Sequence, residues 1–369
     1  MNNDSRHIPA LDGIRGFAAL MVFFVHYGGG QKSSYLGIRL IAKGLVFGWT
    51  GVSLFFVLSG FLISGILWDS MGKKHWWKRF YLRRSLRIFP LYYFSILLIF
   101  SAAVVFKGTH WRLESLVPFM AYLQNIPWTS GLRWKFPYAI SLSHFWSLAV
   151  EEQFYLIWPF LLLLVRNDIK QARRMCCCVW LFSLAYRVAV VYCSWNLNWA
   201  AGFLLGRSGD LAAGAWLALA VRGGGTMKHV QRFSSLVLGL SSLSIISVIL
   251  LARSTEITSP YILTVGISFV SLFFVSLLAM SLNPSLPSIL FSNRVLRWMG
   301  KISYGFYVYQ VLLLPLYEWI VARSFPVLGW NSSNCVLAAV AFGGTIAAAS
   351  LSYYGFEKHF LVLKDRFRV

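Results

Sequence analysis

Long apolar stretches separated by short basic ones set the rhythm of this chain. Ten helices fit the pattern, at about 10–29, 44–68, 88–106, 144–165, 176–195, 208–221, 234–252, 260–282, 302–322 and 335–356. Several reach the roughly 20 residues that a helix needs to cross a bilayer. The pattern therefore predicts an all-α, polytopic membrane helix bundle of about ten transmembrane helices. Its shortest member is the sixth helix, 208–221. One connection, 107–143, is too long and too polar for a tight turn, and it carries Trp111, Trp128, Trp134 and Tyr138. Within it, Leu113–Leu123 reads as a helix lying at the interface or dipping into the membrane. No internal repeat divides the chain, so 1–369 reads as a single transmembrane domain with no appended soluble domain.

Composition agrees with this picture. Of the 369 residues, 58% are hydrophobic and 12% charged, whereas about a quarter are charged in soluble domains. A net charge of +22 would suggest a nucleic-acid partner if the cations formed a compact face. They lie instead in short segments between spans. Of the 34 Lys and Arg residues, 23 fall at the N-terminal end, in linkers 69–87, 166–175, 222–233 and 283–301, and in the tail 357–369. These segments share one side of the predicted bundle, so the positive-inside asymmetry places both termini in the cytoplasm. The first apolar run contains Arg15 and His26 and ends in Gly28-Gly29-Gly30 without a small-residue cleavage site. It reads as a retained helix and not a signal peptide. The five cysteines form no CxxC pair, and no HExxH or Cys/His cluster is present, so neither a disulfide framework nor a metal site is expected. P-loop and dinucleotide-binding glycine patterns are absent as well.

Polar residues inside the apolar runs are the informative exceptions. Arg15 and His26 lie eleven residues apart in the first helix, which puts them within about 20° of one face and roughly 16 Å apart along the axis. Charge and imidazole are costly in lipid, and by default they mark a polar pathway or active site. The plainer alternative has Arg15 snorkelling to headgroups while His26 caps the helix end. Next comes Lys73-Lys74-His75-Trp76-Trp77-Lys78-Arg79, running into Arg83-Arg84-Ser85-Leu86-Arg87. Most of these cations set topology or touch anionic lipid. Arg84 and Arg87, however, are spaced i, i+3 beside a span, and paired guanidinium forks suit phosphate. Finally, His144-Phe145-Trp146-Ser147-Leu148-Ala149-Val150-Glu151-Glu152-Gln153 crowds two carboxylates, an amide, a hydroxyl and an imidazole at the mouth of a span. A helix dipole accounts for one acid there but not for the whole group, and Ser147 and Glu151 share a face. Gly51, Ser53, Ser59, Gly60, Ser64 and Gly65 read as packing residues. Arg187 and Glu357 are further polar residues in or near spans, and Arg207 and Asp210 read as a mutual pair.

Taken in order, these segments resemble the membrane-bound acyltransferase family 3, of the O-antigen and exopolysaccharide O-acyltransferase type. The likeness rests on Leu11-Asp12-Gly13-Ile14-Arg15-Gly16 with His26 at the family's R-x10-H spacing, and on Phe55-Phe56-Val57-Leu58-Ser59-Gly60-Phe61-Leu62-Ile63. It continues with Arg84-x-x-Arg87 before Ile88-Phe89-Pro90, the Phe145–Tyr155 stretch, and the late Ile302-Ser303-Tyr304-Gly305-Phe306-Tyr307. Many relatives carry a His shortly after that late motif, where this chain has Gln310, so acceptor contacts here are expected to differ.

The resemblance implies an enzyme of the bacterial cytoplasmic (inner) membrane. Such an enzyme moves an acyl group, usually acetyl, from cytoplasmic acyl-CoA to a hydroxyl of an extracytoplasmic glycan or lipid-linked glycan. Acyl-CoA is then a substrate, and no cofactor is permanently bound. On this reading Arg84 and Arg87 hold the donor's phosphates, and Arg15 lines the entry of its pantetheine arm. His26 acts as general base, or as a nucleophile through a transient acyl-His. Glu151 completes the catalytic pair, and His144, Trp146, Ser147, Glu152 and Gln153 meet the acceptor. A secondary transporter and a non-catalytic membrane sensor are the competing classes. The first predicts paired halves with interrupted helices, and no such symmetry is visible.

Overall fold

The computed structural model describes residues 8–28, 36–107, 116–126, 142–166, 168–223, 227–326 and 330–367. Every regular element among them is helical: α1 (Pro9–Tyr27), α2 (Leu36–Val46), α3 (Thr50–Ser70), α4 (Trp76–Lys107), α5 (Val117–Met120), α6 (Trp146–Leu164), α7 (Ile169–Tyr192), α8 (Leu197–Gly202), α9 (Leu204–Arg222), α10 (Met227–Ala252), α11 (Ile267–Ser281), α12 (Leu286–Phe291), α13 (Arg294–Leu312), α14 (Leu314–Ser324), α15 (Trp330–Ser352) and α16 (Lys358–Asp365). Pro9 opens α1 where its missing N–H is not needed. Asp168 caps α7 by accepting from the Lys170 and Gln171 amides at 2.7 and 3.2 Å.

Among the described residues, seven helices are long and apolar enough to cross a membrane, or eight if one bent pair counts as a single span. The sequence pattern led to ten, and the differences have physical causes. The expected 302–322 span is two helices, α13 and α14, meeting at 60°. Pro315, in the first turn of α14, cannot donate the hydrogen bond that would continue α13. The expected 88–106 span is the second part of α4, which begins at Trp76 and carries the basic run as helix and not as linker. The short sixth helix becomes α9, a 19-residue helix whose buried Arg207 and Asp210 dilute its apolar character. In the 107–143 connection, the Leu113–Leu123 reading corresponds to the short α5, while Trp111, Trp128, Trp134 and Tyr138 lie outside the described residues.

The centre of the bundle is α3 and α13, each packed on α1; α9 packs on the far side of α3, α7 on α9, and α15 on α13. Glycine permits the tightest of these contacts. A Cβ at Gly60 would sit 1.9 Å from the Leu211 carbonyl oxygen, and one at Gly300 would sit 1.9 Å from that of Asp12. Backbones therefore touch directly across α3/α9 and α1/α13. By contrast, α10 has a mean hydropathy of 2.3 in a window only 11% buried by the protein. So apolar and uncovered a helix is stable only with lipid against it.

The described part of the long connection folds back onto the bundle. Tyr122 stacks on Tyr92 at 4.2 Å, the Tyr92 hydroxyl donates to the Phe119 carbonyl at 2.8 Å, and the Gln153 amide donates to the Tyr122 carbonyl at 2.7 Å. These bonds hold residues 116–126 over the start of α6.

Candidate active site

A cavity of about 110 Å³ opens where α1, α3, α4, α6 and α13 converge. Its polar wall joins residues far apart in sequence: Arg15 from α1, Arg84 and Arg87 from α4, Glu151 and Glu152 from α6, and Ser303, Tyr304 and Tyr307 from α13. The i, i+3 spacing on α4, nearly one full turn, presents both of its guanidiniums to one side. Arg84 lies over the rings of Tyr155 (5.6 Å) and Phe80 (6.0 Å), a geometry that favours a cation. Asp12 meets Arg15 at 3.4 Å. Across the space, the Tyr155 phenol is hydrogen-bonded to the Ser59 hydroxyl, and Tyr304 donates to the Ile88 carbonyl at 2.8 Å. One carboxylate oxygen of Glu152, Oε1, is buried with no hydrogen-bond partner. Three cations and two carboxylates thus surround unfilled space, so a ligand here gains from donors and acceptors not consumed by the protein. About 10–15 Å³ of such space is enough to hold one water, so the cavity admits a group of several heavy atoms.

A second polar group lies at the C-terminal end of α1. His26 is exposed there, in the last turn, and does not line the cavity. Its ring is addressed by the Val22 carbonyl and by the side chain of Gln310, while the neighbouring Tyr27 phenol donates to the Gln310 carbonyl. His144 is buried, with Nε2 at 3.2 Å from the Val308 carbonyl and Nδ1 without a partner. Tyr307 links the two groups. Its hydroxyl donates to the His144 carbonyl at 2.7 Å and receives the Ser147 hydroxyl at 2.5 Å, while both Ser147 and Tyr307 line the cavity.

The fold thus gathers Arg15, Arg84, Arg87, Ser147, Glu151 and Glu152 around one space and leaves His26 and His144 beyond its wall. Glu151 faces Ser59, Tyr155, Arg84 and Arg87, and not the His26 ring. Ser147 bonds Tyr307, and Arg84 and Arg87 line the cavity together with the carboxylates. Trp146 packs its ring edge-on to Phe56 at 6.1 Å, and Gln153 is consumed by Tyr122 and Asn125; neither lines the cavity. Sequence reading missed Ser59, Tyr155, Tyr304 and Tyr307 as site residues. All four lie in the apolar motifs quoted above, where a hydroxyl breaking an apolar run was the available signal.

No solved structure matches this chain. Its curated relatives include OatA, the peptidoglycan O-acetyltransferase of Listeria monocytogenes, 28% identical over 98% of the chain and 58% of OatA. YrhL of Bacillus subtilis, named as a candidate peptidoglycan O-acetyltransferase, is 28% identical over 96% of the chain and 55% of its own length. A candidate O-acetyltransferase of Staphylococcus aureus is 26% identical over 96% of the chain and 57% of its own length. The chain therefore spans less than two thirds of the length of these relatives. The Acyltransferase domain family model (Acyl_transf_3) matches residues 8–354, a stretch that includes every residue lining the cavity, and the chain belongs to this family of membrane acyltransferases.

Proposed function

We propose that this chain moves an acetyl group from a cytoplasmic acyl-CoA to a hydroxyl of a glycan, such as peptidoglycan or a lipid-linked precursor, on the other side of the bacterial cytoplasmic membrane. The observation that carries this reading is the charged cavity connected through Ser147 and Tyr307 to the backbone of His144, whose ring interacts electrostatically with that of His26. Arg15, Arg84 and Arg87 attract the anionic donor, whose acyl end enters the cavity and meets the acceptor at the Ser147–Tyr307 wall, on the side of the histidines. The bulk of the donor stays on the cytoplasmic side of the arginines. The acceptor approaches from the end of α1 where His26 is exposed.

In the transfer step the acceptor oxygen attacks the thioester carbonyl carbon. A C–O bond forms, the C–S bond breaks, and the hydroxyl proton passes to the neutral His26 ring. The CoA thiolate leaves and takes up a proton. Holding both reactants in one bundle makes the encounter effectively intramolecular. Glu151 and Glu152 lie opposite the arginines and keep their side chains oriented when no donor is bound. The relatives named as O-acetyltransferases support the choice of acetyl and of a glycan acceptor.

The test is His26→Ala, scored by mass spectrometry of base-labile acetate on cell-surface glycan. Acetylation should fall by about 100-fold or more, since a positioned general base contributes 10²–10⁴-fold. Undiminished acetylation by a normally inserted variant would overturn the reading.

A further inference from the structure

Gln310 is buried to 0% exposure in the last turn of α13, yet neither its amide nitrogen nor its amide oxygen makes a close hydrogen bond. A buried amide with four unused hydrogen-bonding positions is unfavourable and uncommon in a packed core. Its placement is nevertheless fixed. The Tyr27 phenol donates to the Gln310 backbone carbonyl, and Tyr27 follows His26 directly on α1, so the amide is held at the level of the His26 ring. The ring itself is addressed by two groups, the Val22 carbonyl one turn back and the Gln310 side chain. A carbonyl can only accept, so Val22 takes one ring N–H. The second ring nitrogen is then the one left with a lone pair, and it gains an N–H only when the ring takes up a proton.

We propose that Gln310 is the positioning residue of His26, its buried amide oxygen sharing with the Val22 carbonyl the ring N–H of the neutral imidazole and so keeping the lone pair of the other nitrogen for the acceptor hydroxyl. This rests on the reading of His26 as general base. It explains why an amide with no other partner stands in an otherwise apolar helix contact. The orientation of a histidine ring is set by the hydrogen bond that its other nitrogen makes. Here Val22 and Gln310 hold one nitrogen, and the other stays free to take the proton. An amide serves the charged ring without adding a charge of its own, so the ring is released as a neutral base after each turnover.

The experiment measures ethoxyformylation of each histidine by diethyl pyrocarbonate as a function of pH, in purified protein, read by peptide mass spectrometry. The reagent attacks only the neutral ring, and it requires no knowledge of donor or acceptor. Wild type, Gln310→Met and Gln310→Glu are compared. The titratable side chains around the ring are His144 from the turn before α6, Tyr27 on α1, and Tyr317 and Glu318 of α14 behind Tyr27; all are common to the three proteins. A carboxylate at 310 holds the ring protonated, so the rise in His26 reactivity moves to higher pH and the rate on the acid limb drops about tenfold. Methionine, equal in length but without an acceptor, moves the rise to lower pH. Gln310→Asn withdraws the oxygen by one methylene and should behave as the Met variant does. The exposed His75 and His359 serve as internal controls and keep their profiles in every variant.

Superimposable His26 profiles in all variants would overturn the proposal, since a space-filling role predicts no displacement. The two readings fail separately. Displaced profiles together with undiminished acetylation by His26→Ala would remove the catalytic role and leave the positioning contact. Unmoved profiles with inactive His26→Ala would do the reverse.

Discussion

Helix α3 separates two groups of buried charge that look alike in sequence and differ in how they are used. On the α7/α9/α11 side, Arg187 reaches the Gly206 carbonyl and the Ser183 hydroxyl at 2.8 Å and the Ser268 hydroxyl at 2.6 Å. Arg207 meets Asp210 at 2.9 Å and donates to the Ser53 hydroxyl at 2.8 Å. All three charged side chains are at most 1% exposed. On the other side, Arg15, Arg84 and Arg87 face Glu151 and Glu152 across unfilled space, with a Glu152 oxygen unpartnered. The first group joins helices through these contacts, although Arg207 Nε and Nη1 and both Asp210 oxygens make no close hydrogen bond. The second borders unfilled volume that a ligand can enter. In a membrane bundle the ligand site is therefore marked by charge beside empty volume, not by charge alone.

This contrast predicts opposite phenotypes. The largest effect should come from Arg207→Ala, which strands Asp210 in the bundle. Breaking a buried pair removes about 3–5 kcal/mol, visible as collapse of the thermal transition in detergent or of the yield of inserted protein. A transition unchanged from wild type would remove the structural assignment of this group. Second in size is Arg84→Ala combined with Arg87→Ala. Acetylation of surface glycan should drop by about 100-fold, equivalent to about 2.7 kcal/mol at the transition state, while thermal stability stays near wild type. If stability fell instead, the cavity arginines would belong with the first group. A smaller change is expected from Tyr307→Phe, which removes the phenol's bonds to Ser147 and to the His144 carbonyl. The loss of one such hydrogen bond, about 1 kcal/mol, should lower acetylation several-fold with no change in the glycan modified. Smallest is Ser268→Ala, which takes one of several bonds from Arg187. It should cost about 1 kcal/mol of stability and leave acetylation unaltered; an activity defect here would connect the two groups across α3.

Much of the site was legible before any tertiary information. Arg15, Arg84, Arg87, Ser147, Glu151 and Glu152 stood out because each is expensive in lipid, and all of them line the cavity. Gln310 was visible only as a departure from a family pattern. The assignments of Trp146 and Gln153 rested on their neighbours in sequence, but helical geometry turns successive residues by about 100°, so adjacent residues face different partners. Trp146 meets Phe56, and Gln153 meets the returning segment at Tyr122. Ser59 and Gly60 were grouped as packing residues. Gly60 does pack against Leu211, while Ser59, next to it, faces Tyr155 and the cavity.

Hydropathy and charge, being sums over local segments, were enough to determine that the chain is a helical membrane bundle and which residues carry its polar chemistry. The order of motifs was enough to place it among the acyltransferases. Which polar residues share a space was decided by helix packing, because a side chain's neighbours across a bundle depend on crossing points that no local sum contains. Close backbone contact at Gly60 and Gly300 draws α1, α3, α9 and α13 together. That approach closes one charged group into a solid joint and leaves the other open around a cavity.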